Sequence, residues 1–233
     1  MKTTTPRPDY AKFIVDTEQD HWSQLYRRFC AEGRAFDDEG DFLKHHHVTV
    51  WQSQHPGLRK YILEVWGEAT SLVFGLAWET WHAYLRRFDV RVEEPELTTD
   101  MILELGTLLQ ATCSKFNVNT YRTRPAAKRQ GRDRGGVGYA IGSHKSNLRV
   151  TCYKRGSEPA CTEAQVTGVT LQRAVDMADR DRITRNLTND EAWAVLVDHL
   201  DSFGQRRIEA AWQNYSTQLR FVPDTVPFVA NSE

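Results

Sequence analysis

The segment Arg87-Phe-Asp-Val-Arg-Val-Glu93 alternates charged and apolar residues along its whole length. Successive side chains of a β-strand point to opposite faces of the sheet, so this alternation predicts a strand with one buried face and one polar face. The apolar residues share one predicted face and the charged residues share the other: Phe88, Val90 and Val92 against Arg87, Asp89, Arg91 and Glu93. The rest of the predicted fold is arranged around this strand.

Two later segments follow the same rule. In the strand predicted at 148–153, the apolar and the polar residues again separate onto two faces: Leu148, Val150 and Cys152 against Arg149, Thr151 and Tyr153. The next predicted strand, 160–167, places Glu163 on one face with Cys161 and Gln165. A strand with acids, a strand with a tyrosine and Glu163 therefore form the centre of the predicted structure.

Further elements complete an α+β pattern. Strands are predicted from Tyr10 to Val15, from Lys60 to Val65 and over 138–142. Helices are predicted at 20–33, over a face with Trp78, Trp81 and Leu85, from Thr98 or Thr99, over 170–179, and from the capping box Thr188-Asn-Asp-Glu191 with a continuation beyond Gly204. This order predicts a central, mainly antiparallel sheet flanked by helices.

The domain organisation follows from these elements. We expect a flexible lead-in at 1–8 and one α+β domain at 9–182, because 233 residues are enough for a single large core. C-terminal helices at 183–215 are expected to pack on that domain, with an extended tail at 216–233 that contains Pro223 and Pro227. These helices could also serve dimerisation.

Composition and charge limit the classes of function. The net charge of −1 gives no global sign of nucleic-acid binding, so any such signal has to be local. The sequence lacks both an apolar run long enough for a membrane span and a signal peptide, which predicts no membrane partner. Four cysteines without CxxC or zinc spacing are typical of free thiols in a reducing cytoplasm, so we expect a cytoplasmic protein.

The acids on the central strand are candidate metal ligands. Asp89 and Glu93 would lie roughly 13 Å apart at ~3.3 Å per residue, which is too far for both to bind one ion directly. A second ligand would have to come from a neighbouring strand, and Glu163 is one candidate. A solvated strand face with alternating charge is the alternative interpretation of Asp89 and Glu93.

Tyr153 is the candidate nucleophile. A tyrosine in this position could attack a DNA phosphodiester and form a phosphotyrosine bond, a reaction that needs a divalent cation to polarise the phosphoryl oxygen. Amphipathic packing is the alternative role for this tyrosine. A rival metal site consists of His45 and His47, which would point to the same side of a strand. The alternative interpretation of the triplet His45-His46-His47 is a polar segment at the start of a strand.

Basic residues cluster between Tyr121 and Arg134, where glycines are expected to add flexibility. Lysine and arginine neutralise phosphates and release counterions, so this segment predicts a nucleic-acid contact, with an exposed solvated loop as the alternative. The residues expected to contact DNA here and elsewhere are Arg122, Arg124, Lys128, Arg129, Arg132, Arg134, Arg87, Arg91, Lys145, Arg149, Lys154 and Arg155.

The order of these motifs resembles the replication initiation factor family of rolling-circle plasmids and filamentous phages. That family carries an Arg-hydrophobic-Asp-hydrophobic-x-hydrophobic-Asp strand, which 87–93 is similar to with Glu93 in the last place. Its second landmark is similar to Ile141-Gly142-Ser143-His-Lys-Ser146, followed by Arg149-Val150 and Tyr153-Lys154-Arg-Gly156. An acid on the next strand corresponds to Glu163, and the resemblance covers roughly 9–168.

The resemblance implies a function as well as a fold. It implies a DNA nickase and strand transferase on an α+β fold related to rolling-circle nickases. Tyr153 would be the nucleophile, and Mg²⁺ or Mn²⁺ would be held by ligands among Asp89, Glu93 and Glu163. The partner would be origin-like DNA, as a single strand or hairpin, with a homodimer or a host replication or regulatory protein also possible. The alternative is a non-catalytic DNA-binding or protein-interaction regulator, plasmid- or phage-encoded, on the same scaffold.

Overall fold

A computed structural model of the chain describes residues 5–16, 48–52, 60–123 and 136–219. Within these ranges the fold is α+β and contains one eight-stranded antiparallel sheet. The strands are β1 Arg7–Asp16, β2 Val48–Gln52, β3 Lys60–Trp66, β4 Leu85–Glu94, β5 Val118–Thr123, β6 Gly136–Ile141, β7 Leu148–Arg155 and β8 Ala160–Thr167. Their order across the sheet is β2-β3-β1-β4-β8-β7-β6-β5, which confirms the predicted central antiparallel sheet.

The helices lie at three places along the chain: between β3 and β4, between β4 and β5, and after β8. The short helix α1, Trp78–Trp81, lies between the 3₁₀ turns Gly67–Gly75 and His82–Tyr84. Helix α2, Thr99–Thr112, is followed by a 3₁₀ turn at Ser114–Phe116. Helices α3, Gly168–Arg185, and α4, Asn189–Leu219, end the described chain. Within the described residues, no helix combines the length and the apolar character that crossing a membrane requires.

One face of the sheet carries the hydrophobic core. Val90 of β4 pairs with Ala164 of β8, and Ala164 pairs with Val150 of β7, so one apolar row crosses three strands. Helices α3 and α4 pack on these strands, and α2 packs on β5 and β6. Trp193 of α4 is fully buried in this layer. The predicted apolar faces of 87–93 and 148–153 are therefore confirmed as the core side of the sheet.

Two features of α4 account for its length and its position. The predicted capping box is present, since the Thr188 backbone N–H donates to Glu191 Oε2 at 2.8 Å and the Glu191 N–H donates to Thr188 Oγ1 at 3.4 Å. The helix then continues through Gly204. A β-carbon at Gly204 would lie 2.9 Å from the β-carbon of Ala164, so glycine allows α4 to lie directly against β8.

The structure differs from the predicted elements in several places. Helix α3 extends beyond the predicted 170–179, and its charged run contacts helix α1: Arg182 pairs with Glu79 at 2.9 Å, and Trp78 Nε1 donates to Asp179 at 2.9 Å. The predicted domain boundary at 182/183 lies inside α3. The helix predicted from Trp78 to Leu85 is wrong in extent, since α1 is one turn and Leu85 begins β4. The helix predicted at 20–33 lies outside the described residues.

Candidate functional site

The face of the sheet opposite the helices carries the candidate residues. Three cross-strand rows run over β4, β8 and β7 on this side: Asp89 with Gln165 and Arg149, Arg91 with Glu163 and Thr151, and Glu93 with Cys161 and Tyr153. The pairing of β4 with β8 brings together residues that are far apart in the chain. We call this the polar face.

Asp89, on the β4 side of the polar face, is only 1% exposed. Arg87, two residues earlier on the same strand, donates through Nε to both carboxylate oxygens of Asp89, at 2.9 and 3.1 Å. The Arg87 guanidinium also lies 4.6 Å from the centre of the Tyr10 ring, and the Tyr10 hydroxyl donates to Glu64 at 2.6 Å. Arg87 is thereby held in place from two sides, as charge-assisted forks and cation–π contacts allow.

Asp89 and Glu163 form a carboxyl pair, because the two side chains lie within hydrogen-bonding reach of each other. Burial raises the pKa of Asp89 to about 7, against the opposing effect of Arg87, and the neighbouring Glu163 raises it further. Near neutral pH the Asp89 carboxyl is therefore partly protonated. The sequence argument required any partner of Asp89 to come from a neighbouring strand, and Glu163 of β8 lies in that position.

A chain of hydrogen bonds extends from this pair across the sheet. The Gln165 amide donates through Nε2 to Glu163 Oε1 at 2.8 Å. Arg149 donates through Nη1 to Gln165 Oε1 at 3.2 Å. The amide of Gln165 thus orients Glu163 and Arg149 at once. Beside it, Arg149 and Tyr121 line a cavity of about 560 Å³ at the end of β6.

Glu93 is separate from the carboxyl pair. It forms an ion pair with Arg7 of β1 and lies 3.6 Å from Arg91 Nη2. Arg91 in turn lies 3.4 Å from Asp9, so two acids share one arginine. Of the three predicted metal ligands, the structure brings together Asp89 and Glu163 and leaves Glu93 in a surface ion-pair network.

Tyr153 lies directly opposite Cys161 and diagonally across from Glu163 on the neighbouring strand, and it is 7% exposed. Burial and the nearby Glu163 raise the pKa of the Tyr153 hydroxyl above its ordinary value, with Arg91 acting in the opposite direction. The Arg155 guanidinium lies 4.7 Å from the centre of the Tyr153 ring. The phenol is therefore in its neutral form and would need a base or a cation to become a nucleophile.

Unpaired donors surround the carboxyl pair. Three buried polar atoms on the polar face have no hydrogen-bond partner among the described residues: Arg91 Nε, Arg149 Nε and Thr151 Oγ1. Thr151 is 6% exposed and lies directly opposite Glu163. Buried polar groups are normally paired. These donors therefore indicate a place where an anion or a water molecule accepts their hydrogen bonds.

The remaining predicted residues lie in three places. By strand alternation, Lys154 lies with Cys152 on the helix side of the sheet, away from Arg149. Lys145 and Arg122 are exposed, one in the turn between β6 and β7 and the other on β5. The predictions for His45, His47, Arg124, Lys128, Arg129, Arg132 and Arg134 lie outside the described residues.

Sequence reasoning missed several members of the polar face. Tyr10, Tyr121, Gln165 and Thr151 lie on it but were given no role in the site. Tyr121 lies against Gly138, where an added β-carbon would be 2.5 Å from the Tyr121 oxygen. A glycine inside a strand pattern is a sequence signal for such a close approach. The other three could be found only once the pairing of β1, β4, β8 and β7 was known.

A divalent cation is compatible with the residues present. Within the described ranges, no group of three or more His, Cys, Asp or Glu side chains is arranged to hold a metal ion. Mg²⁺ commonly uses one or two carboxylates and completes its shell with water and substrate phosphate. Asp89 and Glu163 supply two such carboxylates, while Arg87 competes for Asp89.

The raised pKa of Asp89 predicts that the stability of the fold depends on pH. Its pKa is about 7 in the folded protein and about 3.8 in an unfolded chain, so between these values the folded state holds a proton that the unfolded state has lost. The free energy of unfolding should therefore fall as pH rises from about 4 to about 7, by up to about 1.4 kcal/mol per pH unit, and level off above it. Urea denaturation of wild type and Asp89→Asn at a series of pH values measures this.

The Asp89→Asn variant should lose that part of the slope, whereas Asp100→Asn, at an exposed position on α2, should keep it. Equal slopes in Asp89→Asn and wild type would contradict the assignment.

Comparison with known proteins does not assign the chain to a family. No protein-family model matches the chain, and no curated protein and no solved structure matches it. The likeness to replication initiation factors therefore stays a prediction that depends on the residues of the polar face.

Proposed function

We propose that the chain is a DNA-binding protein that nicks one DNA strand through Tyr153 with a divalent cation, in the manner of rolling-circle replication initiators. The observation that carries this proposal is that Tyr153, Glu163 and Asp89 share one face of three neighbouring strands, with Glu163 diagonal to Tyr153 on one side and to Asp89 on the other. A tyrosine, two acids and several arginines on one face of a sheet are the kinds of group that a metal-assisted phosphoryl transfer uses.

The arginines support a phosphate-bearing substrate. Arg91 and Arg149 both lie on the polar face, and each has a buried Nε without a hydrogen-bond partner among the described residues. Guanidinium groups match the geometry of phosphate oxygens and often bind them in pairs. The unpaired Thr151 hydroxyl, directly opposite Glu163, could donate to the same group. A scissile phosphate at this position would satisfy all three.

The residues around the phosphate have distinct proposed roles. Asp89 and Glu163 would hold Mg²⁺ or Mn²⁺, which supplies charge stabilisation at the phosphoryl oxygens. The Tyr153 oxygen would form the bond to phosphorus as the bond to the leaving deoxyribose oxygen breaks. Its proton would pass to a carboxylate or a water molecule, and the leaving oxygen would take up a proton. Glu163 is the acid whose charge acts most strongly on the Tyr153 hydroxyl, and it could accept the tyrosine proton.

A relation to the rolling-circle nickase folds belongs to the same proposal. In support of it, the antiparallel sheet carries both sequence landmarks on its central strands, β4 and β7. The acid expected on the following strand is Glu163 of β8, directly beside them.

A second candidate function is DNA binding without cleavage. Two observations favour it: Asp89 is already held by three hydrogen bonds from Arg87, and Tyr153 is only 7% exposed. A regulator on this scaffold would use the arginines of the polar face to bind phosphate and would leave the tyrosine as a packing residue.

One assay separates the two candidates. The protein is incubated with labelled single-stranded and hairpin oligonucleotides from its own replicon, in Mg²⁺, in Mn²⁺ and in EDTA. Nicking predicts a covalent adduct that survives denaturing electrophoresis and forms only with the cation. Binding that weakens steeply with salt, without an adduct, supports the regulator. Absence of both binding and adduct rejects both candidates.

A further inference from the structure

A second cavity lies on the helix side of the sheet, away from the polar face. It has a volume of about 580 Å³ and is formed where the beginning of α3 meets the middle of α4 and the first residue of β7. Cavities of roughly 300–1,000 Å³ are typical of sites for small molecules. None of the residues that line it belongs to the candidate nicking site.

Three arginines line this cavity: Arg173 of α3, and Arg206 and Arg207 of α4. Among the described residues, none of them forms a salt bridge with an Asp or Glu. Arg207 also has a buried Nε without a hydrogen-bond partner in the described chain. Three uncompensated positive charges around one cavity favour an anionic occupant, and the unpaired Nε gives that anion a donor to bind.

The first turn of α3 adds to the positive potential. Its N-cap residue, Thr167, makes no side-chain capping bond, and the first turn contains no acid. The backbone N–H groups at the start of a helix have no partner within the helix and carry a partial positive charge. Thr170, in this turn, lines the cavity and offers a hydroxyl group. The start of α3 thus adds its positive potential to that of the three arginines.

The remaining wall is apolar. Leu148, Val169 and Phe203 line it, and Val169 is 73% exposed. The guanidinium of Arg206 lies 4.9 Å from the centre of the Phe203 ring, and that of Arg173 lies 6.0 Å from it. Such contacts hold the two arginines over the aromatic ring at the cavity wall. The cavity therefore combines a cationic part with an apolar part.

We propose that this cavity binds a small organic phosphate of the nucleotide class, with its phosphate on Arg173, Arg206 and Arg207 and its base or other apolar part against Leu148, Val169 and Phe203. The guanidinium fork suits phosphate in particular, because it places parallel N–H donors on two oxygens. The site lies on the opposite side of the sheet from Tyr153 and does not depend on the nicking proposal.

Calorimetric titration of the full chain tests the proposal with four nucleoside monophosphates, the matching nucleosides, inorganic phosphate and a single-stranded oligonucleotide. At least one nucleotide should bind more tightly than its nucleoside and more tightly than inorganic phosphate. Arg173→Gln and Arg206→Gln, both at exposed positions, should each weaken that binding by about tenfold or more, as expected for loss of a charged hydrogen bond. Arg180→Gln, an exposed arginine of α3 outside the cavity, and Tyr153→Phe should leave it unchanged.

Several results would overturn the proposal. They are the absence of binding by all four nucleotides at about 10 mM, equal affinity for nucleoside and nucleotide, and nucleotide binding that is indifferent to Arg173→Gln and Arg206→Gln. If inorganic phosphate binds as tightly as any nucleotide, the organic part of the ligand contributes no affinity and a nucleotide ligand is ruled out. An oligonucleotide that alone depends on these two arginines would replace the small ligand with a nucleic-acid contact. Circular dichroism of each variant confirms that the fold is retained.

Discussion

Replacing Tyr153 with phenylalanine should abolish the covalent DNA adduct, lowering its rate of formation by at least about 10³-fold, while DNA affinity stays close to that of the wild type. The substitution removes one oxygen atom and keeps the ring. Phenylalanine can therefore retain the contact with Arg155, whose guanidinium lies 4.7 Å from the ring centre. A large loss of adduct without a loss of binding would assign the chemistry to the phenol oxygen.

Tyr121→Phe is the matched control for this experiment. Tyr121 lies on the same face of the sheet, where its oxygen contacts Gly138 and its side chain lines the cavity beside Arg149. We expect Tyr121→Phe to keep adduct formation. Adduct loss in Tyr121→Phe with retention in Tyr153→Phe would transfer the nucleophile to Tyr121, and equal activity of both variants would refute a tyrosine nucleophile at Tyr153. Quantified adduct bands and filter binding measure the two properties separately.

Replacing Trp193 with alanine should lower the free energy of unfolding by about 4 kcal/mol, the largest stability effect that we expect from a single core substitution. Trp193 is fully buried and lies 4.9 Å from Trp78, with Phe88 stacked at 6.3 Å between ring centres. Its indole N–H also donates to the Leu76 carbonyl at 3.0 Å. Removal creates a cavity among rigid rings and leaves that buried carbonyl unpaired.

Urea denaturation measures this effect, with Trp212→Ala as the control. Trp212 lies near the other end of α4, is partly exposed and contacts Tyr215, so its loss should cost much less. Trp193→Phe provides a second variant in case the alanine variant fails to fold, since it keeps a ring and loses the indole donor. Equal losses for Trp193→Ala and Trp212→Ala would contradict the central position of Trp193 in the core.

Local patterns predicted the faces of the strands well. Alternation in 87–93 and 148–153 placed Val90 and Val150 in the core and Asp89 and Arg149 on the polar side, because the pleat of a strand determines which way a side chain points. The capping box at Thr188 likewise identified the start of α4, because its two reciprocal hydrogen bonds depend only on nearby residues.

The order of strands could not be read in the same way. Positions 89 and 163 meet only because β4 pairs with β8 across 73 intervening residues, and alternation carries no information about which strands become neighbours. The raised pKa of Asp89 beside Glu163, and the hydrogen bonds of Gln165 to Glu163 and from Arg149, follow from that pairing and from its neighbour β7. The extent of α3 was underestimated for a related reason, because its charged last turns are held by Glu79 on α1.

The position of β4 and β8 has a consequence for how the polar face is assembled. The strands β5, β6, β7 and β8 form one continuous meander, and β4 belongs to the other half of the sheet with β1, β2 and β3. The meander can form its pairings from nearby parts of the chain, whereas β4 pairs with β1 and with β8 only across long stretches of sequence, and Asp89 meets Glu163 only after β4 joins β8. A long-range joint of this kind is closed late and at an entropic cost. The carboxyl pair is thus a marker of complete folding, and a partly assembled chain would present neither the raised pKa of Asp89 nor the polar face around it.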